Sequence, residues 1–195
     1  MLAGVVSTTA GLWSLATRAD AGGASAGPPS GSVQTPVTSG VPATTAAPAS
    51  VRCRNATHGY ALAYPRDWHT AARDESESCR FFHPEPFEIP AHFEVAEVAI
   101  VVEHLDVSYD DWIAANQQAG IVVLERDDTT VAGGARAVRL RFSFAEGPED
   151  MVALAYAIDR GAGVLVLYAF SPFSPDFTRT GDVLDAMVPS LELFR

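Results

Sequence analysis

Four apolar runs follow one another between residues 121 and 171 with only short connections: "IVVLERDDTTV", "ARAVRLRFSFA", "MVALAYAIDR" and "GVLVLYAFS". Each has the length and the β-branched content of a strand. The links between them are turn chemistry: Gly133-Gly134, Gly147-Pro148-Glu149-Asp150 and Gly161. Parallel neighbours would need crossovers of a dozen or more residues. The order therefore predicts an antiparallel meander and an α+β domain, and excludes a doubly wound βαβ fold.

Upstream the same alternation is present in shorter pieces. In "GYALAYP" Tyr60, Leu62 and Tyr64 share one face, and Pro65 stops the strand because it cannot donate to a ladder. "CRFFHP" reads as a second short strand. "FEVAEVAIVVEHL" is longer, with Val95, Glu97, Ala99 and Val101 on one side and Ala96, Val98, Ile100 and Val102 on the other. That pattern predicts a strand buried mainly on one face.

Two helices complete the pattern. "SYDDWIAANQQAG" has Ser108 as N-cap, Asp111 three residues on and Gly120 as the stop, with Trp112, Ile113 and Ala119 facing the sheet. A closing helix is predicted from Ser174 as cap and Pro175 at the first helical position. Its apolar stripe is Phe177, Leu184, Met187, Val188 and Leu191, and Pro189 kinks or ends it.

The organisation of the chain changes near residue 50. From 21 to 50 it is almost wholly Ala, Gly, Ser, Thr, Pro and Val, with no aromatic and no charge. Such a tract buries too little apolar surface to offset the entropy of ordering it, and reads as a disordered, semi-extended linker. Residues 1–20 hold an apolar stretch, Leu2 to Ala16, followed by the small-residue patterns Ala19-Asp20-Ala21 and Ala24-Ser25-Ala26, which suit a signal peptidase. A basic flank is missing, so the segment reads as an export signal or anchor whose true start lies upstream of Met1; a cytosolic N-terminus is the alternative. Residues 51–195 are then a single domain.

Cys53 and Cys79 are the two cysteines of the chain. In an exported protein such a pair reads as one disulfide, and in a cytosolic one as two buried thiols. Closing a loop of about 27 residues would stabilise the fold by roughly 3 to 4 kcal/mol.

The net charge is −11, and the first 50 residues contribute only Arg18 and Asp20, so the excess falls on the domain. That surface repels phosphate backbones and anionic headgroups, which argues against nucleic acid and against adsorption to, or insertion of the folded domain into, a membrane. All 13 basic side chains are Arg, a usage that points to a GC-rich genome.

The sequence carries no nucleophile elbow, P-loop, HExxH or EF-hand loop, so no catalytic residue, metal ligand or cofactor is predicted. His58, His69, His83, His92 and His104 lack the spacing of a metal site, although the first three lie around the Cys53–Cys79 loop. The acidic runs, Asp74 to Glu77, Asp110-Asp111, Asp127-Asp128 and Glu146 to Asp150, read as solvated loop charge. Asn55-Ala56-Thr57 matches a glycosylation sequon. Among many core aromatics, Tyr60, Tyr64, Trp68 and Trp112 are the candidates for an apolar groove between sheet and helix.

The pieces "HGYALAYPRDW", "FEVAEVAIVVE", "YDDWIAAN", "GGARAVRLRF" and "VLDAMVPSLEL", in that order over residues 57–195, resemble the PsbP/Mog1-like fold, and within it exported actinobacterial relatives of the LpqN lipoprotein type. The resemblance implies an antiparallel sheet between helices and an accessory or binding role without a catalytic motif. The lipobox cysteine of the lipoprotein relatives is missing. The expectation is an exported, non-enzymatic module at the cell envelope whose partner is an envelope protein or an apolar ligand. A hydrolase of envelope material and a carrier of an apolar ligand are the alternatives.

Overall fold

Alternation in "VALAYAID" sets the architecture, because both of its faces are apolar but of different size. Leu154, Tyr156 and Ile158 point into one core and Ala153, Ala155 and Ala157 into another. A strand of this kind needs cover on both sides.

The computed structural model describes residues 49–89, 98–117, 120–144 and 151–194. Its elements are β1 (Ser50–Asn55), β2 (Tyr60–Pro65), β3 (His69–Ala71), β4 (Phe81–His83), β5 (Ile100–Leu105), α1 (Tyr109–Ala115), β6 (Ile121–Val131), β7 (Ala135–Phe144), β8 (Val152–Asp159), β9 (Val164–Phe170), α2 (Phe177–Met187) and β10 (Glu192–Leu193). All belong to one compact unit, Thr45–Arg195. Seven strands form a sheet in the order β3-β4-β5-β9-β8-β7-β6, and β1-β2-β10 form a second. Every pairing is antiparallel. The α+β class with an antiparallel sheet flanked by helices is thus what the chain adopts.

On one face of the large sheet α2 and the small sheet enclose the main core, with Tyr60, Leu62, Leu184, Met187 and Leu191 against Ile100, Leu165 and Leu167. On the other face Tyr109 and Ile113 of α1 pack over Val138, Leu140 and Val166, and the small alanines of β8 leave room for them. Burying a side chain of this size contributes about 1.5–3 kcal/mol.

Several expectations are corrected in detail. β2 does not join the large sheet; it lies between β1 and the two-residue β10. β5 is buried on both faces, since Ile100 and Val102 enter the main core while Val101 packs with Phe81 on the opposite side. α1 ends at Ala115 with Asn116 as C-cap, short of Gly120, although Ser108 caps it as expected, its Oγ accepting from the Asp111 N–H. α2 is capped by Asp176, whose carboxylate accepts the Arg179 N–H. Ser174 instead donates its hydroxyl to the Phe170 carbonyl.

The segment 1–20, the linker up to residue 48, His92, Phe93, the strand positions Val95, Ala96 and Glu97, Ala119 and the turn at 147–150 lie outside the described residues. Among the described residues no helix is long and apolar enough to cross a membrane.

Candidate functional site

Cys53 on β1 and Cys79 are joined as a disulfide, with their Cα atoms 5.8 Å apart. Cys79 takes a left-handed backbone, φ 60°, which a non-glycine residue adopts only when its surroundings hold it there. Those surroundings are polar and buried. Asn55, fully buried at the end of β1, donates to the carbonyls of Ser76 (2.9 Å) and Ser78 (2.7 Å) and accepts the His58 N–H (2.8 Å). The Tyr60 hydroxyl donates to the Cys79 carbonyl (3.0 Å), and burial pushes its pKa well up. With its amide committed in this way, Asn55 is not available as a glycosylation acceptor in the folded domain.

The clamp delivers Arg80 to the end of β5. Its guanidinium donates to Glu103 (2.9 Å), whose other oxygen accepts the Tyr168 hydroxyl (2.7 Å). Burial, then the Glu103 charge, drives the Tyr168 pKa upward. Behind Arg80, the buried Glu77 is held ionised by its hydrogen bonds and ion pair with Arg73, which place its carboxyl below the usual range against the opposing effect of burial.

Next to Glu103, His104 turns toward the β1–β2 turn and stacks on His58, with ring centroids 5.3 Å apart and planes 18° from parallel. The ring fits because of Gly163: a Cβ there would come within 3.0 Å of His104 Nε2 and 2.7 Å of the Leu105 carbonyl oxygen. Burial, then the neighbouring His104 and Arg80, lower the His58 pKa. Arg160 braces the turn that carries His58, donating to the carbonyls of His58 (3.2 Å), Gly59 (3.1 Å) and Phe194 (3.2 Å).

These residues enclose a cavity of about 220 Å³ lined by Asn55, His58, Tyr60, Arg80, Val102, Glu103 and His104. That is room for roughly seven waters at about 30 Å³ each. A larger groove of about 310 Å³ lies between β6, β7 and α2, but its centre is a strut. Arg139 there grips Asp185 of α2 through two hydrogen bonds, and Tyr156 donates to the same carboxylate, so the groove's polar groups serve to fix the helix.

Of the four groove candidates, Tyr60 and Trp68 are buried in the main core, with the half-buried Tyr64 beside them and its ring 5.2 Å from Phe82. Trp112 belongs to the core on the opposite face of the sheet, so the four line no common groove. Tyr60 reaches the cavity, whose lining is polar rather than aromatic. His69 and His83 pair across β3 and β4, away from His58. Reasoning from sequence named His104 but grouped His58 with His69 and His83 instead, and it missed Arg80 and Glu103, which no motif marks. Among the described residues no group of three or more His, Cys, Asp or Glu could hold a metal.

No family model and no curated protein matches the chain. Among solved structures, the solution structure of cyanobacterial PsbP (CyanoP) from Synechocystis sp. PCC 6803 is 12% identical, with a TM-score of 0.43 over 80% of this chain and 99% of that one. A protein of unknown function from Pseudomonas aeruginosa is 18% identical, with a TM-score of 0.38 over 68% of this chain and 88% of that one.

Proposed function

We propose that this chain is an exported, non-enzymatic binding module of the cell envelope and that it engages its partner at the His58–His104 cavity. The observation that carries the reading is the cavity's construction: a disulfide, a buried amide and a hydroxyl hold polar side chains around an open space instead of a packed core. The disulfide supports an oxidising compartment. The order of motifs resembling LpqN-type actinobacterial proteins supports an envelope role, and the Arg-only basic composition supports only a GC-rich genome. The polar lining favours a polar or charged group of the partner over an apolar chain.

Convergence of pKa-shifted groups on one cavity is also what a hydrolase of envelope material would present. Among the described residues, however, neither imidazole is hydrogen-bonded to a hydroxyl or thiol that it could activate.

The test has two parts. Fractionation with thiol titration is expected to find the protein outside the cytoplasm with no free thiol; a cytosolic protein with two free thiols overturns export. Affinity capture from envelope extract, with mass spectrometry of proteins and small molecules, is expected to recover a partner that the His58→Gln, Arg80→Gln double variant loses. Equal recovery by both proteins, or recovery by neither, overturns binding at this site.

A further inference from the structure

We propose that the His58–His104 cavity is an oxyanion site, which takes the phosphate or carboxylate group of its partner between the two imidazoles and Arg80 and takes up a proton with it. The proposal rests on the binding reading above and names the chemistry of what is bound.

In a chain of net charge −11, a cavity that brings two imidazoles and a guanidinium together is informative for what it offers as hydrogen-bond donors. Three cationic or protonatable groups face His58 from separate parts of the chain. Arg80 comes from the disulfide loop, His104 from β5 and Arg160 from the turn between β8 and β9; Asp106, after β5, is the opposing charge that acts on it. Tyr60, from β2, faces the same space with its hydroxyl proton committed to Cys79. Carboxylates face these groups too: Glu103 in the lining pairs with Arg80 and accepts the Tyr168 hydroxyl, Glu77 lies 3.5 Å from Arg80, and Asp106 lies 3.7 Å from His104 Nδ1, so the anion would compete with them for Arg80 and the imidazoles.

The His104 ring stacks on His58 at 5.3 Å, and burial, His104, Arg80 and Arg160 together disfavour the charged form of His58. An anion placed among them reverses the sign of that field. A neutral imidazole offers one N–H donor and an imidazolium two, so protonation adds a charge-assisted hydrogen bond where the anion would sit. Binding and proton uptake are therefore coupled, and the affinity must rise as the pH falls toward the ordinary histidine range.

The experiment follows the ring resonances of the histidines by NMR in the full-length oxidised protein, titrated with inorganic phosphate and separately with acetate. Saturable shifts are expected at His58 and His104 and not at His69 or His83, with the affinity for acetate, which stays largely ionised throughout, about tenfold or more tighter at about pH 5.5 than at about pH 7.5. His58→Gln is expected to remove that pH dependence, and Arg80→Gln to weaken binding at both pH values. Should Arg80→Gln not fold, His104→Gln supplies the second variant. Saturation by phosphate alone assigns a phosphate ester, by acetate alone a carboxylate, and by both the shared oxyanion chemistry. Shifts no larger at His58 and His104 than at His69 and His83, or none with either anion up to about 50 mM, overturn the oxyanion site. Loss of envelope capture is a separate outcome, so the two readings can fail independently.

Discussion

His58 ties the stability of the fold to pH. Its folded pKa is lowered, first by burial and then by His104 and Arg80, so between that value and about 6.5 the unfolded chain binds more protons than the folded one. The sign follows: stability from this group is fully present above about pH 6.5 and falls as the pH drops through the folded value. Denaturant midpoints measured across this range are expected to fall on acidification, and His58→Gln is expected to flatten that part of the profile. Gly59 makes a different residue-scale prediction. It has φ 63°, and a Cβ on it would run into the Phe194 carbonyl oxygen, while its own carbonyl accepts the Phe194 N–H. Gly59→Ala is expected to cost at least about 2 kcal/mol by chemical denaturation, since left-handed backbone alone costs a non-glycine residue about 1–2 kcal/mol.

Element-scale behaviour turns on what clamps and what separates the strands. The Cys53–Cys79 bond closes β1 onto the loop carrying Arg80, and Cys53→Ser with Cys79→Ser is expected to cost about 3 to 4 kcal/mol. In a chain of this size that corresponds to a fall of roughly 10 °C in Tm, measured calorimetrically. β6 ends the large sheet, and it exposes Val122, Val123 and Leu124 before a register shift and the charged run Glu125 to Asp128. Bulges and charges of this kind discourage pairing with another chain. Asp127→Val with Asp128→Val is expected to produce concentration-dependent self-association in light scattering. The helices and the central strands were legible from sequence because their signals are local: Ser108 as cap, Gly161 as turn, the alternation of β8. Ser174 misled because Asp176, two residues on, competes for the cap with a charged acceptor suited to the helix N-terminus. β3 and β10 were illegible because two or three residues carry no period of their own, and β10 takes strand form only from β2, a partner distant in sequence. The His58–His104 contact joins residues from two different sheets, and no spacing rule encodes it.

At the scale of the whole molecule, an acidic domain carries one disulfide-clamped cavity of mixed charge at the junction of its two sheets. The clamp builds this cavity by fixing the turn that bears His58 and the loop that bears Arg80 against the end of β5. The direct test is the nuclear Overhauser contact between the rings of His58 and His104, recorded before and after reduction of the disulfide. The contact is expected in the oxidised protein. On reduction it is expected to vanish or weaken severely while the amide signals of β7 and β8 persist. Its absence from the oxidised protein, or its survival unchanged after full reduction, would contradict that role of the clamp.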